Sequence, residues 1–67
     1  MQLVVNGVET ESAARTIAEL VREVLGDRPL EGVAVAVGAV VARRADWAAH
    51  ALSPGDRVEI IRAVGGG

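Results

Sequence analysis

No cysteine occurs in this 67-residue chain, so disulfide staples, thiolate zinc sites and a thiol nucleophile are all excluded. A secreted domain this small normally leans on disulfides, and doing without them points to a reducing, cytoplasmic setting. Histidine occurs once, at His50, which removes His-pair metal sites and leaves no metal-binding set. Lysine is missing altogether: the seven basic residues are all arginines, set against nine acidic ones for a net charge of −2. Only Arg43 and Arg44 are adjacent, and no aromatics interleave with them. The clustered basic surface that neutralises phosphates in a nucleic-acid binder is therefore lacking. No apolar run approaches the roughly 20 residues of a membrane-spanning helix, and MQLVV lacks the basic start of a signal peptide. Neither nucleic acid nor a membrane is an expected partner. Aromatics are reduced to Trp47.

What remains is aliphatic. Hydrophobic residues make up 51 % of the chain, nearly all of them Val, Ala, Leu and Ile. The core must be assembled from many modest contributions, roughly 1.5–3 kcal/mol for each large side chain buried. The length allows one small domain, of a size that buries only about 60 % of its unfolded surface.

The stretch LVVNGVET carries the clearest local signal. Asn6-Gly7 suits a two-residue type I′ turn, which pairs Val5 with Val8, Val4 with Glu9 and Leu3 with Thr10. Leu3, Val5 and Val8 then share one face, and Gln2, Val4, Glu9 and Glu11 the other, predicting a half-buried hairpin. In ARTIAELVREVLGDRP, Thr16 and Glu19 have the spacing of a capping box. Ile17, Leu20, Val21, Val24 and Leu25 draw one apolar stripe at helical spacing. Gly26 stands where a left-handed cap is wanted and Pro29 prevents a restart, so the pattern predicts a helix over 17–25.

Val33, Val35 and Val37 alternate with alanines, which predicts a strand buried on one face and crowded on the other. Gly38-Ala39 reads as a tight turn and Val40-Val41 as a short returning strand. Asp46 is placed to cap a single helical turn carrying Trp47. SPGD, with Pro54 and Gly55 adjacent, is a turn. RVEIIRAV is a last strand, with Val58 and Ile60 pointing one way and Arg57, Glu59 and Ile61 the other. The order β-β-α-β-β-turn-β implies an α+β domain, a sheet of four to five strands with one main helix packed on one face. The other sheet face should be open and largely polar. Val4 and Ile61 are its aliphatic exceptions and so candidate docking residues, as is Arg62 at the end of the last strand.

Catalysis by this chain alone is not expected, because a nucleophile needs an activating partner. Thr16 is accounted for by helix capping and Ser53 by a turn, Thr10 lies on the core side of the hairpin, and His50 has no evident acidic orienter. Glu9 and Glu11 fall on an exposed strand face. The closing glycines do not lie between a strand and a helix, so they do not form a nucleotide-binding loop, and the chain itself is expected to bind no cofactor. The feature left over is the terminus, Val64-Gly65-Gly66-Gly67. Four extended residues reach roughly 13 Å at about 3.3–3.6 Å each. A run of glycines can enter a slot too narrow for a Cβ and present a terminal carboxylate, a group able to attack the α-phosphate of ATP held by a partner enzyme. The expected organisation is a domain over 1–63 followed by a flexible glycine tail over 64–67.

Together, MQLVVNG, TIAELVREV, VAV followed by a turn, RRADWA and PGDRVEIIRAVGGG resemble the ThiS family, small sulfur carriers of thiamine thiazole biosynthesis. The resemblance spans nearly the whole chain. It is most specific from Gly55 through the closing glycines, with an Arg-x-x-Trp motif from Arg44 to Trp47 upstream. The chain departs from the family's pattern at Gly38-Ala39, where Asn-Gly is frequent, and at Arg43, where Pro is frequent. The resemblance implies a ubiquitin-like β-grasp fold whose last strand delivers Gly66-Gly67, with Gly65 and Gly66 threading a partner's channel. It implies that Gly67 is adenylated by an E1-like adenylyltransferase, which uses ATP, and converted to a thiocarboxylate. A sulfur donor such as a cysteine desulfurase would supply the sulfur, and thiazole synthase would receive it. Carriers for molybdopterin, cysteine or tRNA thiolation share the fold and tail, as do ubiquitin-like modifiers joined to lysines. A β-grasp interaction domain with an inert terminus remains a further alternative.

Overall fold

A computed structural model of the protein describes residues 1–63. Five strands and one α-helix follow in the expected order: β1 (Gln2–Val5), β2 (Val8–Glu11), α1 (Ile17–Leu25), β3 (Val33–Val37), β4 (Val40–Ala42) and β5 (Arg57–Arg62). A short 3-10 turn over Arg44–Asp46 separates β4 from β5. The strands form a single mixed sheet in the order β2-β1-β5-β3-β4. The last strand is thus the central one, parallel to β1 and antiparallel to β3.

The first hairpin has the register its sequence predicts, Val5 with Val8, Val4 with Glu9 and Leu3 with Thr10. Its turn places Asn6 at φ 50° and Gly7 at φ 82°, the two positive angles a type I′ turn requires. One expectation fails at its far end: Val8 shares the core face by alternation yet is 63 % exposed. The reason is its position in the sheet. Val8, Val5, Val58, Val37 and Val40 are cross-strand partners in one row that spans all five strands. Burial along that row is deepest at the centre, with Val58 1 % exposed, and fails at the two edges, with Val8 63 % and Val40 69 % exposed.

The helix covers the centre of that face. Ile17, Leu20 and Val21 are buried with Leu3, Val5, Val35, Val58 and Ile60 in one core that also includes Ala14, Trp47 and Leu52. Val24 lies on the same stripe by angle but is 42 % exposed, while Leu25 beside it is partly buried against the core. At the first turn, Thr16 Oγ1 accepts the Glu19 N–H at 3.2 Å, as a capping box demands. The reciprocal bond is displaced by one residue: Glu19 Oε1 accepts from the N–H of Arg15, at 2.8 Å. Thr16 is instead engaged in an isolated antiparallel bridge with Ala51. The N–H groups of Ile17 and Ala18 donate to the carbonyls of His50 and Trp47, each at 3.1 Å. The free donors at the start of the helix are therefore satisfied by the loop before β5. At the other end Gly26 has φ 62° and ψ −131°, outside the left-handed helical cap expected, and its N–H still closes on the Arg22 carbonyl at 2.8 Å.

Asp46 does not cap a turn. It is the third residue of the 3-10 segment, which begins after Arg43 with no side-chain cap. Trp47 follows it and is only 4 % exposed, with its indole N–H donating to the Ala42 carbonyl at 3.0 Å. The single aromatic side chain thereby ties the end of β4 to the loop that feeds the helix.

Core depth differs sharply along one helix, and this yields a paired test. Replacing Leu20, fully buried, by alanine is expected to cost about 2–5 kcal/mol, a large part of the stability of so small a domain. Val24→Ala, on the same stripe but exposed, should cost less than about 1 kcal/mol. Urea denaturation of the two variants beside the parent measures both.

Candidate functional site

The described chain ends at Ala63, one residue beyond β5. The expected sulfur-bearing residue Gly67 and the threading residues Gly65 and Gly66 lie outside the described residues. The structure does show how the chain is held just before them. The Ala63 N–H donates to the Gly32 carbonyl at 2.8 Å. Gly32 has φ 74°, and a Cβ built on it would stand 3.0 Å from the Ala63 carbonyl oxygen. Only a residue without a side chain accommodates both the backbone angle and this approach. The Arg62 guanidinium donates to the carbonyl of Pro29. The loop between α1 and β3 thus clasps the end of the last strand at two points.

The three docking candidates are not brought together. Ile61 is 57 % exposed on the sheet face away from the helix. Val4 is half-buried on the same face, but its partner on β5 is Arg57. Four residues of strand, about 13 Å, separate that rung from Ile61. Arg62 alternates to the helix side, where it meets Pro29. It is exposed, but its guanidinium is engaged within the fold.

Ile61 instead has neighbours that sequence reading passed over. Ala34 is its direct partner on β3, and Ala36 pairs with Glu59 on one side and Val41 on the other. Val41 is 70 % exposed, Ala34 exposed and Ala36 half-buried. The alanines of VAVAV, expected on a crowded face, are thus on the open one. That face is not polar throughout: Gln2, Glu9, Glu11 and Arg57 occupy its β2-β1-β5 part. Ile61, Ala34, Ala36 and Val41 make the part near the chain's exit apolar. Small alanines between two projecting aliphatics produce a shallow surface bounded by Glu59 and, just past β4, Arg43. The signal was available in the strict Val/Ala alternation, which gives the smaller residue to one face.

The hydroxyls of Thr10, Ser12 and Thr16 have structural partners. Ser12, buried, donates to Glu23 Oε1 at 2.8 Å and accepts from the Ala14 N–H, and Thr10 donates to the carbonyl of Val8. The Ser53 N–H donates to Asp56 Oδ2 at 2.8 Å in the expected SPGD turn. Glu9 and Glu11 are exposed, as alternation predicts. Among the described residues no helix is long and apolar enough to cross a membrane.

The sheet order and the helix on one face have counterparts among known proteins. The sequence model of the ThiS family matches residues 3–67, and the chain belongs to that family. The fold is similar to the crystal structure of the thiamine biosynthesis protein ThiS from Geobacter metallireducens. The TM-score is 0.81 and the identity 28 %, over 100 % of both chains. An NMR solution structure of a thiamine biosynthesis protein from the same organism is similar with a TM-score of 0.76 and 33 % identity. That match covers 100 % of this chain and 88 % of the other. No curated protein sequence matches the chain. The architecture is the ubiquitin-like β-grasp fold, a mixed five-stranded sheet with one helix.

The clasp at Gly32 can be tested directly. Gly32→Ala combines a positive φ with a close approach to Ala63, and it is expected to cost about 1–3 kcal/mol. Thermal unfolding measures the loss, and the Ala63 amide should exchange faster with solvent in the variant.

Proposed function

We propose that this chain is a sulfur carrier of thiamine thiazole biosynthesis, working through the carboxylate of Gly67. The observation that carries the reading is the family match, which runs through residue 67 and so includes the three closing glycines. The central place of β5 supports it, because a strand held from both sides gives the residues after it a fixed starting point. That the similar Geobacter metallireducens structure is of a thiamine biosynthesis protein favours this pathway over other sulfur transfers.

In this reading the chain carries the acyl group and its partners carry the catalysis. An E1-like adenylyltransferase binds ATP, and the Gly67 carboxylate oxygen attacks the α-phosphorus, expelling pyrophosphate to form an acyl-adenylate. A persulfide, supplied by a donor such as a cysteine desulfurase, attacks the acyl carbon and expels AMP. A second thiol then attacks the sulfur of the donor in the acyl disulfide, leaving a disulfide and the thiocarboxylate. Thiazole synthase takes the sulfur, and the carboxylate returns. Gly65 and Gly66 supply a backbone slim enough for a narrow channel. With no cysteine in the chain, the terminal carboxyl group is where sulfur can be held in an activated form, and the reading places the protein in the cytoplasm. Ile61 is the docking residue this reading retains, at one side of the apolar surface, with Ala34 and Ala36 lying between its strand and Val41. Val4 and Arg62 then act at a distance from it, Val4 on the same sheet face and Arg62 through the clasp on Pro29.

Two measurements test the reading. Incubated with ATP, the E1-like enzyme and a sulfur source, the intact protein should gain the mass difference between one sulfur and one oxygen. A variant lacking Gly67 should not, and thiazole synthase should consume the product. Equal mass gain in the truncated variant removes Gly67 as the site. For docking, Ile61→Glu and Val41→Glu should each raise the KM for the carrier about tenfold, about 1.4 kcal/mol. Folding stability should stay within about 1 kcal/mol, because both side chains are exposed.

A further inference from the structure

The turn residue Asn6 makes contacts that a turn does not require. On its inner side β1 pairs in parallel with the last strand, Val4 with Arg57 and Val5 with Val58. The Val4 N–H donates to Asp56 and the Asn6 N–H to Val58, both at 2.9 Å. A parallel strand would provide the next rung two residues later, facing Ile60. The chain has by then reversed at Asn6-Gly7. The side chain of Asn6 takes the place of that missing peptide group. Its Oδ1 accepts the Ile60 N–H at 2.8 Å, and its Nδ2 donates to the Ile60 carbonyl at 3.2 Å. A primary amide offers the same acceptor and donor as a peptide, so the ladder gains one rung from a side chain.

These two bonds join residues 54 apart in sequence, the first turn to the last strand. They act three residues before Ala63. On the opposite edge of β5, the Ala63 N–H is held by the Gly32 carbonyl. The end of the strand is thus pinned from both flanks, at Ile60 by a side chain and at Ala63 by the backbone.

The turn and the rung are chemically separable. Type I′ turns accept Asn-Gly, Asp-Gly and Gly-Gly, so geometry of the turn alone does not select asparagine. Aspartate keeps an acceptor but turns an anion toward the Ile60 carbonyl, and glycine offers nothing. Asparagine alone of the three satisfies both groups of Ile60.

We propose that Asn6 is a positioning residue for the carboxyl-terminal segment. By fixing Ile60 it sets the place and direction in which the chain leaves the sheet toward Gly67, while docking is left to the opposite face. This inference rests on the carrier reading for its consequence in catalysis, and on geometry for its structural part. Because Asn6 does not touch the apolar surface around Ile61, its loss acts on turnover and spares recognition.

Asn6→Asp and Asn6→Gly, made in the full chain, keep the turn; glycine removes both bonds of the rung and aspartate the donor to the Ile60 carbonyl. Both are assayed with the E1-like enzyme by pyrophosphate release, at a temperature where every variant is folded. Leu20→Ala serves as the control that lowers stability without touching β5's edge. In Asn6→Gly, which has no acceptor left for it, the Ile60 amide should exchange at least about tenfold faster. The kcat should fall about tenfold with KM held within about twofold, since small misplacements of a reacting group are costly. Leu20→Ala should leave kcat unchanged. Wild-type kcat in the two Asn6 variants, or an equal fall in Leu20→Ala, overturns the proposal. If the parent chain itself is not adenylated, the carrier reading fails. The positioning claim is then decided by residual dipolar couplings at Ile61, Arg62 and Ala63, which should change in the Asn6 variants and overturn the claim if they do not.

Discussion

The pairing of the last strand between β1 and β3 is the constraint on which the rest of this small protein depends. Without β5 the sheet is two separate hairpins, β2-β1 and β3-β4, with nothing to join them. Val58 and Ile60, its inward residues, are 1 % and 8 % exposed and complete the row beneath the helix. Each of the two hairpins closes locally through a two-residue turn. The strand that unites them comes from the far end of the chain, so its loop-closure entropy has to be met before its contacts form. An amide rung from the first turn and a clasp from the loop before β3 both act on this strand, where cooperativity is concentrated.

An almost wholly aliphatic core is held in place by polar bonds at its margins. The loop between β4 and β5 has little regular structure, yet it supplies the carbonyls of Trp47 and His50 to the first turn of α1. It also places Trp47 and Leu52 in the core. The loop therefore closes the domain and caps the start of the helix at once. Ser12, buried, has both hydroxyl roles filled by Glu23 and Ala14, which removes the penalty an unpaired hydroxyl would impose. The placement of helix and sheet thus depends on connections that hydrophobic periodicity does not display.

Local signals were legible to the extent that local physics decides them. The register of the first hairpin follows from Asn6-Gly7, and the helix ends follow from Thr16 and Gly26. The second hairpin follows from Val/Ala alternation broken at Gly38-Ala39. What sequence reading missed is non-local in each case. Val8 was assigned to the core by alternation, but burial also requires neighbours on both sides, and β2 is an edge. The open face was expected to be polar because each strand was read separately. Its apolar part exists only once β5, β3 and β4 are laid side by side. Asn6 was explained by its turn, which left no residue-level sign of a bond to Ile60. Arg62 stands in the sequence as a docking candidate at a strand end because its acceptor, Pro29, lies on another element.

Strand alternation gives the site its logic. Ile60, Ile61 and Arg62 are consecutive, yet they face three different demands. Ile60 points into the core and is fixed through its backbone by Asn6. Ile61 points out onto the apolar surface with Ala34 and Val41. Arg62 returns to the helix side and is engaged by Pro29. A one-residue slip of β5 would exchange these roles at once, burying the surface aliphatic side chain and exposing the core one. Its register is therefore specified from both flanks, antiparallel to β3 over 33–37 and by backbone and side-chain rungs from β1 and Asn6. Holding the strand falls to bonds along its two edges and presenting a surface to one face, so neither compromises the other, and the position where the chain leaves the fold is set by the same bonds that stabilise its centre.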